Sequence, residues 1–589
     1  MNTNQFIYNE PAFFTGIVYS VAKVTDNVFS VKIILPLIKG NLSKPQSGQF
    51  YMLRAIPSGN LLTRPISVYR EFPVKKENSL GVEFLILLKG QGTSEICSLS
   101  KGSLVDVIGP QGNCFPKPVD TDKILIIGGG IGIAPVAGFA QTLPPKTYDL
   151  IASFKTGSYG LDGIDAKNLT ITTDDGSIGI KGMLPTVLTK DFLQEHGYTV
   201  IYACGPEPML HYIQGVAKEA NIRAYLSMEA RMACGMGACL GCTITTTDGN
   251  RRCCKDGPVF LGEKLIFADP KPRNTRKPIE NPDLSVTIAG VTFNNPVIAA
   301  SGTFGYGTEY SPLFNVNKLG GICSKGLTLE KRSGNTGIRL IETPAGLINS
   351  IGLENPGIPH FIEKELPIML SYQCKTIANL SGSSLETYVE GAKLLENTQV
   401  PMIELNISCP NVKAGGMAFG LDPQAAAEVT RAVRKVTTKP LIVKLSPNAA
   451  NIVEIAHAVR KAGADAISLV NTFQAMAINI ETGKPFFDNI KAGLAGPAIR
   501  PIALRMVYDL YASMKQLPQE EQIPIIGLGG IRTWQDAVEF IMAGASAIQV
   551  GTATFAQPSA MIEIIEGLKT FMQKKGYTSI QDFCGIAHN

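Results

Sequence analysis

Four cysteines near the middle of this 589-residue chain have the spacing of an electron-carrying metal centre. Cys234, Cys239, Cys242 and Cys254 follow the pattern C-x4-C-x2-C with a fourth cysteine further along. This is the spacing of a plant-type 2Fe–2S site, in which four thiolates hold two irons. Such a cluster carries one electron at a time and does no substrate chemistry. We therefore expect the same chain to contain a site that donates electrons and a site that accepts them.

Length and composition indicate several globular domains. The chain is 45% hydrophobic and 17% charged, and it is longer than one core usually serves. The net charge of +5 is small and has no basic block, so we expect neither nucleic-acid nor membrane binding. The first six residues are polar and do not resemble a signal peptide. Clustered cysteines in such a chain favour metal or redox chemistry over disulfides, and we expect a cytoplasmic protein.

The first half of the chain changes its pattern twice. Residues 1–116 form short alternating runs, clearest at 28–35 and 82–88, which predict an antiparallel β-barrel. Residues 117–226 alternate apolar strands with helical patterns and predict an α/β nucleotide-binding domain. The cysteine segment occupies 227–263, and a stretch rich in proline and charge at 264–283 is predicted to be a linker.

Two loops of this half have the chemistry of dinucleotide sites. The string Arg64-Pro65-Ile66-Ser67 offers a guanidinium and a hydroxyl to phosphates, and Gly92-Thr93 offers backbone N–H groups before a helix. Either string alone is common loop material. The run from Gly128 to Gly132 follows a strong strand and opens a helix, as a dinucleotide loop requires, although a plain tight turn gives the same string. A second turn, at Cys204, is predicted to face the same crevice.

The second half predicts a (β/α)8 barrel over residues 284–589. Helical patterns separate most of eight short apolar strands, at 296–300, 321–324, 376–380, 402–407, 441–445, 466–470, 524–527 and 547–550. Polar residues follow the carboxyl ends of these strands, the face where such barrels do their chemistry. They are Ser301, Lys325, Asn379, Asn406, Lys444 and Asn471. A single lysine there could be merely solvated, but the repeated placement indicates a site.

Two glycine loops and one cysteine suggest what this site does. Gly529-Gly530 and Gly551-Thr552 follow the last two strands, where barrel loops commonly bind phosphate, so a cofactor such as FMN fits. Cys409, in the string Asn-Ile-Ser-Cys-Pro-Asn, lies at the mouth of the barrel. A lone loop cysteine is usually inert, but this position makes it a candidate base. The segment 349–353 and Asn471-Thr472 add groups able to hold a planar imide and carboxylate ring.

These motifs resemble a known enzyme family along nearly the whole chain. Residues 284–580 are similar to the catalytic subunit of class 1B dihydroorotate dehydrogenase, and residues 1–263 are similar to its electron-transfer subunit, of the ferredoxin-reductase superfamily. In the family these are two chains, whereas here they are joined. The motif around Cys254 resembles the family's fourth cluster ligand, which favours Cys254 over Cys253. Gly326 and Ala495 differ from the alanine and serine expected there.

The resemblance implies cofactors, ligands and roles. FMN would contact Ser301, Lys325, Gly326, Asn379, Asn406, Lys444, Val470, Gly496, Gly529, Gly530, Gly551 and Thr552. Dihydroorotate or orotate would contact Lys325, Asn349, Ser350, Ile351, Gly352, Leu353, Asn406, Asn471 and Thr472. FAD would contact Arg64, Pro65, Ile66, Ser67, Leu85, Ile86, Leu87, Gly92 and Thr93. Cys409 would be the catalytic base with Lys325 beside it, electrons would pass from FMN through the 2Fe–2S cluster and FAD to NAD+, and the barrels would pair as a homodimer.

Two other functions stay open at this point. A dihydropyrimidine dehydrogenase-type reductase has a similar barrel, but it usually carries additional 4Fe–4S cysteine sets, and none is present here. An electron-transfer protein whose barrel is only a docking scaffold would not need Cys409 and its asparagines. A membrane-linked class 2 dihydroorotate dehydrogenase is disfavoured because the base position holds cysteine instead of serine.

Overall fold

The protein divides into two compact units, Met1–Pro272 and Arg273–Asn589. The computed structural model describes residues 12–37, 44–75, 78–268, 276–408 and 416–589. Among these residues, no helix combines the length and apolar character that crossing a membrane requires.

The first unit begins with a seven-stranded antiparallel sheet that curls into a half-barrel. Its strands are Ala12–Lys23, Val28–Pro36, Phe50–Ile56, Arg64–Ser67, Arg70–Phe72, Ser79–Leu87 and Leu104–Gln111. Burial alternates along the first strand, so one face packs on a core in which Tyr51 and Phe84 are fully enclosed. The predicted antiparallel β architecture of this domain is confirmed. Its two edge strands are Arg64–Ser67 and Arg70–Phe72.

The second sheet of this unit is mainly parallel, as predicted. Its strands lie in the order Ile180–Lys181, Leu169–Thr173, Tyr148–Phe154, Ile124–Gly129, Val200–Cys204, Arg223–Ser227 and Val259–Leu261, and only the last is antiparallel. That last strand belongs to the cysteine segment, which also contains a hairpin that pairs Thr243–Thr246 with Gly249–Arg252. The cysteine segment therefore completes the nucleotide sheet. The helices of the unit are Gln91–Cys97, Ile133–Ala140, Lys190–Glu195 and Glu207–Glu219, with 3-10 turns at Gly130–Gly132, Leu184–Thr186 and Gly262–Lys264.

The second unit is a closed barrel of eight parallel strands. They are Val297–Ala299, Gly321–Cys323, Lys375–Leu380, Met402–Asn406, Leu441–Lys444, Ala466–Leu469, Ile525–Leu528 and Ala547–Val550. Each lies within one residue of its predicted bounds, because a strand buried on both faces is a continuous apolar run.

Helices lie between the barrel strands along the chain. They are Ile358–His360, Leu366–Ser371, Leu385–Glu396, Gly416–Leu421, Pro423–Arg434, Ile452–Lys461, Arg500–Met514, Trp534–Met542, Ala553–Ala556 and Ala560–Lys575, with a π-helical turn at Phe361–Glu365. Short 3-10 turns occur at Val316–Lys318, Pro497–Ile499, Gln519–Glu521, Ile580–Asp582 and Ile586–His588. The helix Pro423–Arg434 shows why they form: Asp422 caps its N-terminus, and Ala426, Val429 and Val433 recur on its buried face.

A second sheet at the carboxyl face of the barrel was not predicted. It contains Leu340–Thr343, Gly346–Asn349, Ala492–Ala495 and Phe473–Ala475, in that order. Two hairpins, Val286–Ile288 with Val291–Phe293 and Ile478–Asn479 with Lys484–Pro485, complete the unit. Each strand of the extra sheet has three or four residues, too few for a clear alternation. The sheet is built from segments that follow the strands Gly321–Cys323 and Ala466–Leu469, so it lies with the loops that form the site.

Candidate active site and electron-transfer sites

A cavity of about 530 Å3, including its open mouth, lies at the carboxyl ends of the barrel strands. Ten residues predicted to bind flavin or substrate line it: Ser301, Lys444, Val470, Asn471, Thr472, Gly496, Gly529, Gly530, Gly551 and Thr552. The other four predicted FMN residues, Lys325, Gly326, Asn379 and Asn406, are not among its lining residues. The structure thus brings the later barrel loops together around one space.

Three glycines form a wall that side chains could not form. Gly496, Gly529 and Gly530 have φ angles of 101°, 127° and 75°, a region that favours glycine. A Cβ on Gly530 would lie 2.7 Å from the Gly496 carbonyl oxygen, and one on Gly496 would lie 2.6 Å from the Gly346 Cα. The backbone is therefore exposed toward the cavity in closely packed loops. This arrangement fits a flavin phosphate bound by backbone N–H groups.

Lys444 points into the barrel and is paired with a buried carboxylate. Its Nζ lies 3.4 Å from Glu404 Oε1 and 3.4 Å from Gln549 Oε1. Burial opposes ionisation of Glu404, but Lys444 and hydrogen bonds from Gln549, Ser468 and Asn379 outweigh it and hold the pKa of this carboxyl below its usual value. Lys444 therefore presents its ammonium group at the cavity wall, with the counter-charge of Glu404 buried in the barrel.

The predicted asparagines are joined by hydrogen bonds. Asn406 Nδ2 donates to Asn379 Oδ1 at 3.2 Å, and Ser408 Oγ donates to Asn406 Oδ1 at 2.9 Å. Asn471 Nδ2 then donates to Ser408 Oγ at 2.8 Å. Asn379, Asn406 and Ser408 are buried. The amides at the ends of three different strands therefore form one connected set.

The residue after Lys325, Gly326, approaches the segment 349–353. Lys325 is half-buried directly after the strand Gly321–Cys323, and a Cβ on Gly326 would lie 2.8 Å from Leu353 Cδ2. Asn349 Nδ2 donates to the Gly493 carbonyl at 3.1 Å.

Hydrogen bonds from two asparagine side chains hold the middle of the segment 349–353. Ser350 is buried and receives hydrogen bonds from Asn335 and Asn489, whereas the Ile351 side chain is 38% exposed and Gly352 has a φ of 79°. A fixed backbone that presents groups outward suits a ligand-gripping loop. Cys409 and Asn411 lie outside the described residues, and the role of Cys409 stays a prediction.

Sequence reasoning missed the polar interior beneath the cavity. Glu404, Ser468 and Gln549 are all buried within the barrel, and Thr303 lines the cavity. The available signal was a carboxylate inside an otherwise apolar strand, since such a charge needs a partner nearby.

The predicted FAD residues lie on two strands and on one glycine turn that contacts Arg64. The guanidinium of Arg64 packs directly on Gly92, where a Cβ would lie 2.4 Å from Arg64 Nε. Thr93 Oγ1 accepts hydrogen bonds from the N–H groups of Lys89 and Gly90 and orders the turn. Pro65, Ile66 and Ser67 continue the edge strand, and Leu85, Ile86 and Leu87 end a central one. The structure therefore brings the arginine and the glycine turn together, as a pyrophosphate site requires.

The nucleotide sheet has its switch point at the two predicted turns. Strand order reverses between the neighbours Ile124–Gly129 and Val200–Cys204, and ligands of such sheets bind in the crevice at that point. A Cβ on Gly132 would lie 2.5 Å from the Cys204 carbonyl oxygen, and Gly130 has a φ of 53°. The two turns are thus in contact, and a strict G-x-G-x-x-G string was not needed to form the crevice.

The cysteine segment turns backbone donors toward its sulfurs. The N–H groups of Met236 and Cys239 each lie 3.4 Å from Cys234 Sγ, and that of Cys254 lies 3.5 Å from Cys242 Sγ. Burial opposes ionisation of Cys234, but these donors lower its pKa to about 6. Burial and the adjacent Cys242 raise the pKa of Cys254 to about 12. Hydrogen bonds to sulfur are one of the features that tune iron–sulfur clusters.

Cys253 bonds to the backbone through its sulfur. It is fully buried, and its Sγ donates to the Met228 carbonyl at 3.3 Å. In the described part of the chain, no three His, Cys, Asp or Glu side chains converge on a single metal ion. A 2Fe–2S cluster is larger, because it spreads four ligands over two irons. The donor chemistry around Cys234, Cys242 and Cys254 therefore fits such a cluster, and the ligand set stays a prediction.

Known proteins resemble both halves of the chain. The dihydroorotate dehydrogenase family model matches residues 283–572, and that of the iron–sulfur cluster binding domain of dihydroorotate dehydrogenase B matches residues 229–266. The catalytic subunit of dihydroorotate dehydrogenase B (NAD(+)) from Petrotoga mobilis is 55% identical over 304 residues, which are 52% of this chain and 99% of the relative. That of Caldicellulosiruptor saccharolyticus is 52% identical over 303 residues, 51% of this chain and 98% of the relative.

Two solved structures also align with the chain. An NADH-dependent reduced ferredoxin-NADP oxidoreductase is 25% identical with a TM-score of 0.37, over 43% of this chain and 89% of that one. A dihydroorotate dehydrogenase of Eimeria tenella in complex with ferulenol is 23% identical with a TM-score of 0.45, over 52% of this chain and 89% of that one.

The barrel, its glycine-lined cavity and the cysteine segment define a flavin and iron–sulfur oxidoreductase. Almost the full length of the catalytic-subunit relatives is covered at about half identity. The chain belongs to the family of dihydroorotate dehydrogenase B, the NAD-dependent dihydroorotate dehydrogenases. The expected FMN, iron–sulfur cluster and NAD are confirmed with it, and FAD stays a prediction.

Proposed function

We propose that this chain oxidises (S)-dihydroorotate to orotate in de novo pyrimidine biosynthesis and delivers the electrons to NAD+ without a second subunit. The observation that carries the proposal is the cavity in which Lys444, Asn471 and the glycine wall of Gly529 and Gly530 meet at the barrel mouth. The bound cofactors supply a hydride acceptor and an electron relay, in the order FMN, 2Fe–2S, FAD and NAD+.

The residues predicted to hold the substrate suit a small, flat, acceptor-rich anion. Lys325 provides a positive charge for the carboxylate, and the amides of Asn349 and Asn471 provide donors for the ring oxygens. Lys444, at the cavity wall, favours negative charge on a flavin. Oxidation removes a hydride from C6 and a proton from C5 of the substrate. Cys409 is the residue proposed to take the proton.

A thiol base gives the reaction a characteristic pH dependence. A cysteine of ordinary pKa, about 8.5, is mostly protonated at neutral pH. Because only the thiolate accepts a proton, turnover should rise with pH until the thiol is ionised. A thiol whose pKa is lowered by Lys325 would shift that rise to lower pH. The pH profile of kcat therefore reports on the environment of Cys409.

Assembly and location complete the proposal. Barrel pairing as a homodimer is inferred from the family, and we propose no nucleic-acid or membrane partner. None of the eleven described cysteines is in a disulfide, and the cluster segment needs reduced sulfur, which favours a reducing compartment such as the cytoplasm.

Anaerobic mixing with L-dihydroorotate tests the activity directly. We expect the flavin absorbance to bleach, and later addition of NAD+ to produce NADH. Bleaching without NADH would retain the barrel reaction but refute NAD+ as the terminal acceptor. No bleaching would refute the proposed substrate, and reduction of uracil by NADPH would then favour a dihydropyrimidine dehydrogenase-type activity.

A base variant separates the two halves of the enzyme. Cys409→Ala should abolish dihydroorotate oxidation while NADH-driven dye reduction by the first unit persists. Equal loss of both activities would contradict the proposed division of labour.

A further inference from the structure

The carboxylate of Glu404 collects hydrogen bonds from five other strands of the barrel. Its side chain is fully buried. Oε1 receives Asn379 Nδ2 at 2.6 Å, Lys444 Nζ at 3.4 Å and Cys323 Sγ at 3.4 Å, and Oε2 receives Gln549 Nε2 at 2.6 Å and Ser468 Oγ at 3.0 Å. Barrel interiors are usually filled by branched apolar side chains. A carboxylate so placed therefore calls for an explanation in terms of what it orders.

An ionised carboxylate only accepts hydrogen bonds, so it fixes the orientation of every amide that contacts it. Because Asn379 turns its NH2 group toward Glu404, its oxygen faces Asn406 and accepts from that amide. Asn406 in turn uses its oxygen for Ser408, whose hydroxyl accepts from Asn471. All donors in this series point toward the same anion. We call the series Asn379, Asn406, Ser408 and Asn471 the amide chain.

This direction decides what the cavity offers to a ligand. The oxygens of Asn406 and Asn471 accept hydrogen bonds within the protein, the latter from the N–H of Thr472 at 2.8 Å. Each amide keeps a second N–H, so the exposed end of the chain presents donors. The imide and carboxylate oxygens of the proposed ligand are acceptors, so they are complementary to the donors at the exposed end of the amide chain.

The same carboxylate positions the lysine at the cavity wall. Gln549 directs its NH2 group to Glu404, so its oxygen faces Lys444 Nζ at 3.4 Å. Two acceptors thus hold the ammonium group from below. Without the carboxylate, the lysine charge would have no buried counter-charge and would act more strongly on whatever lies above it.

We propose that Glu404 is a positioning residue that sets the direction of the amide chain for ligand binding and tempers the charge of Lys444 at the wall of the cavity that would hold the flavin. This inference rests on the proposed function. The proposal has two arms, the direction of the amide chain and the charge of Lys444, and each has its own expected consequence. Loss of the anion should weaken orotate binding through Asn471 and should make the flavin potential more positive through Lys444, because an uncompensated cation favours the reduced flavin.

The variant Glu404→Gln tests both arms, since it keeps the shape and removes the charge. Orotate affinity, measured by perturbation of the flavin spectrum, should fall about tenfold or more, because the NH2 group that replaces one carboxylate oxygen would face an amide donor instead of accepting from it. The flavin potential, measured by spectroelectrochemistry, should shift to more positive values. Ser408→Ala cuts the amide chain beyond Asn406 and should weaken orotate binding while the potential stays that of the wild type.

Thr376→Val is the matched control. This buried hydroxyl lies in the same barrel and bonds only the Met369 carbonyl at 3.1 Å among the described residues, so neither readout should change. An FMN-loaded Glu404→Gln protein with wild-type affinity and potential would overturn the proposal. If that variant does not retain FMN, unchanged orotate affinity in Ser408→Ala would overturn the amide chain. A wild-type protein that neither binds orotate nor bleaches with dihydroorotate would instead refute the proposed function.

Discussion

Adjacent cysteines in the cluster segment allow a sharp test of the ligand set. Cys253 and Cys254 are neighbours in sequence, and both are almost fully buried. Cys253 Sγ faces the Met228 carbonyl in the core, whereas Cys254 contacts Cys242. Truncating either to alanine removes one buried sulfur, so the packing change is nearly the same. The pair of variants therefore separates ligation from packing.

The magnitudes expected for the two variants differ. Deleting one buried group of this size costs about 1 kcal/mol, which lowers the melting temperature of a unit this large by roughly 2–4 °C. Cys253→Ala should show only that loss and keep its iron and visible cluster absorbance. Cys254→Ala should lose most of its iron and the coupling of dihydroorotate oxidation to NAD+. Iron analysis and thermal melting measure both effects. Retention of iron in Cys254→Ala with loss in Cys253→Ala would refute the assignment.

Three further predictions concern the other sites. Gly132→Ala should abolish NADH-driven dye reduction but leave flavin bleaching by dihydroorotate intact, because its Cβ would lie 2.5 Å from the Cys204 carbonyl oxygen in the nucleotide crevice. Arg64→Ala should lower the FAD content of the purified protein, measured by cofactor release, without lowering its FMN content. Lys444 lowers the pKa of Glu404 although burial raises it, so the ionised Glu404 stabilises the fold at pH values above its unfolded-state pKa of about 4.5. That stabilisation should be lost as pH falls below about 4.5. The melting temperature of the wild type should therefore fall more steeply with decreasing pH than that of Glu404→Gln.

The regular parts of the fold followed from the sequence because their signals are local. All eight barrel strands are buried apolar runs, and turn residues bound them. The extra sheet was missed because its strands of three or four residues are defined by pairing partners distant in sequence, such as Leu347 opposite Ala495. The same reason explains why the pairing of the cysteine segment with the nucleotide sheet was missed. Its last strand, Val259–Leu261, is recognisable only by its pairing with Arg223–Ser227.

The candidate site shows a similar division. Strand ends could be read from the chain, so Lys444 and Asn471 were correctly expected to lie at the barrel mouth, where both line the cavity. Residue spacing could not reveal in which direction the amide side chains donate their hydrogen bonds. That Asn379 turns its NH2 group inward depends on Glu404, a residue one strand away whose burial is a property of the closed barrel.

The polar interior of the barrel is better explained by chemistry than by stability. Removing a carboxylate and an ammonium group from water costs several kcal/mol per ion, and apolar side chains of similar volume are often equally or more stabilising. Glu404 and Lys444 nevertheless lie in the barrel with side-chain exposures of 0% and 5%. Both carboxylate oxygens are satisfied, so the arrangement is tolerated, but tolerance does not explain its presence. A fixed charge directly below a ligand cavity does explain it, because such a charge acts most strongly where water is excluded.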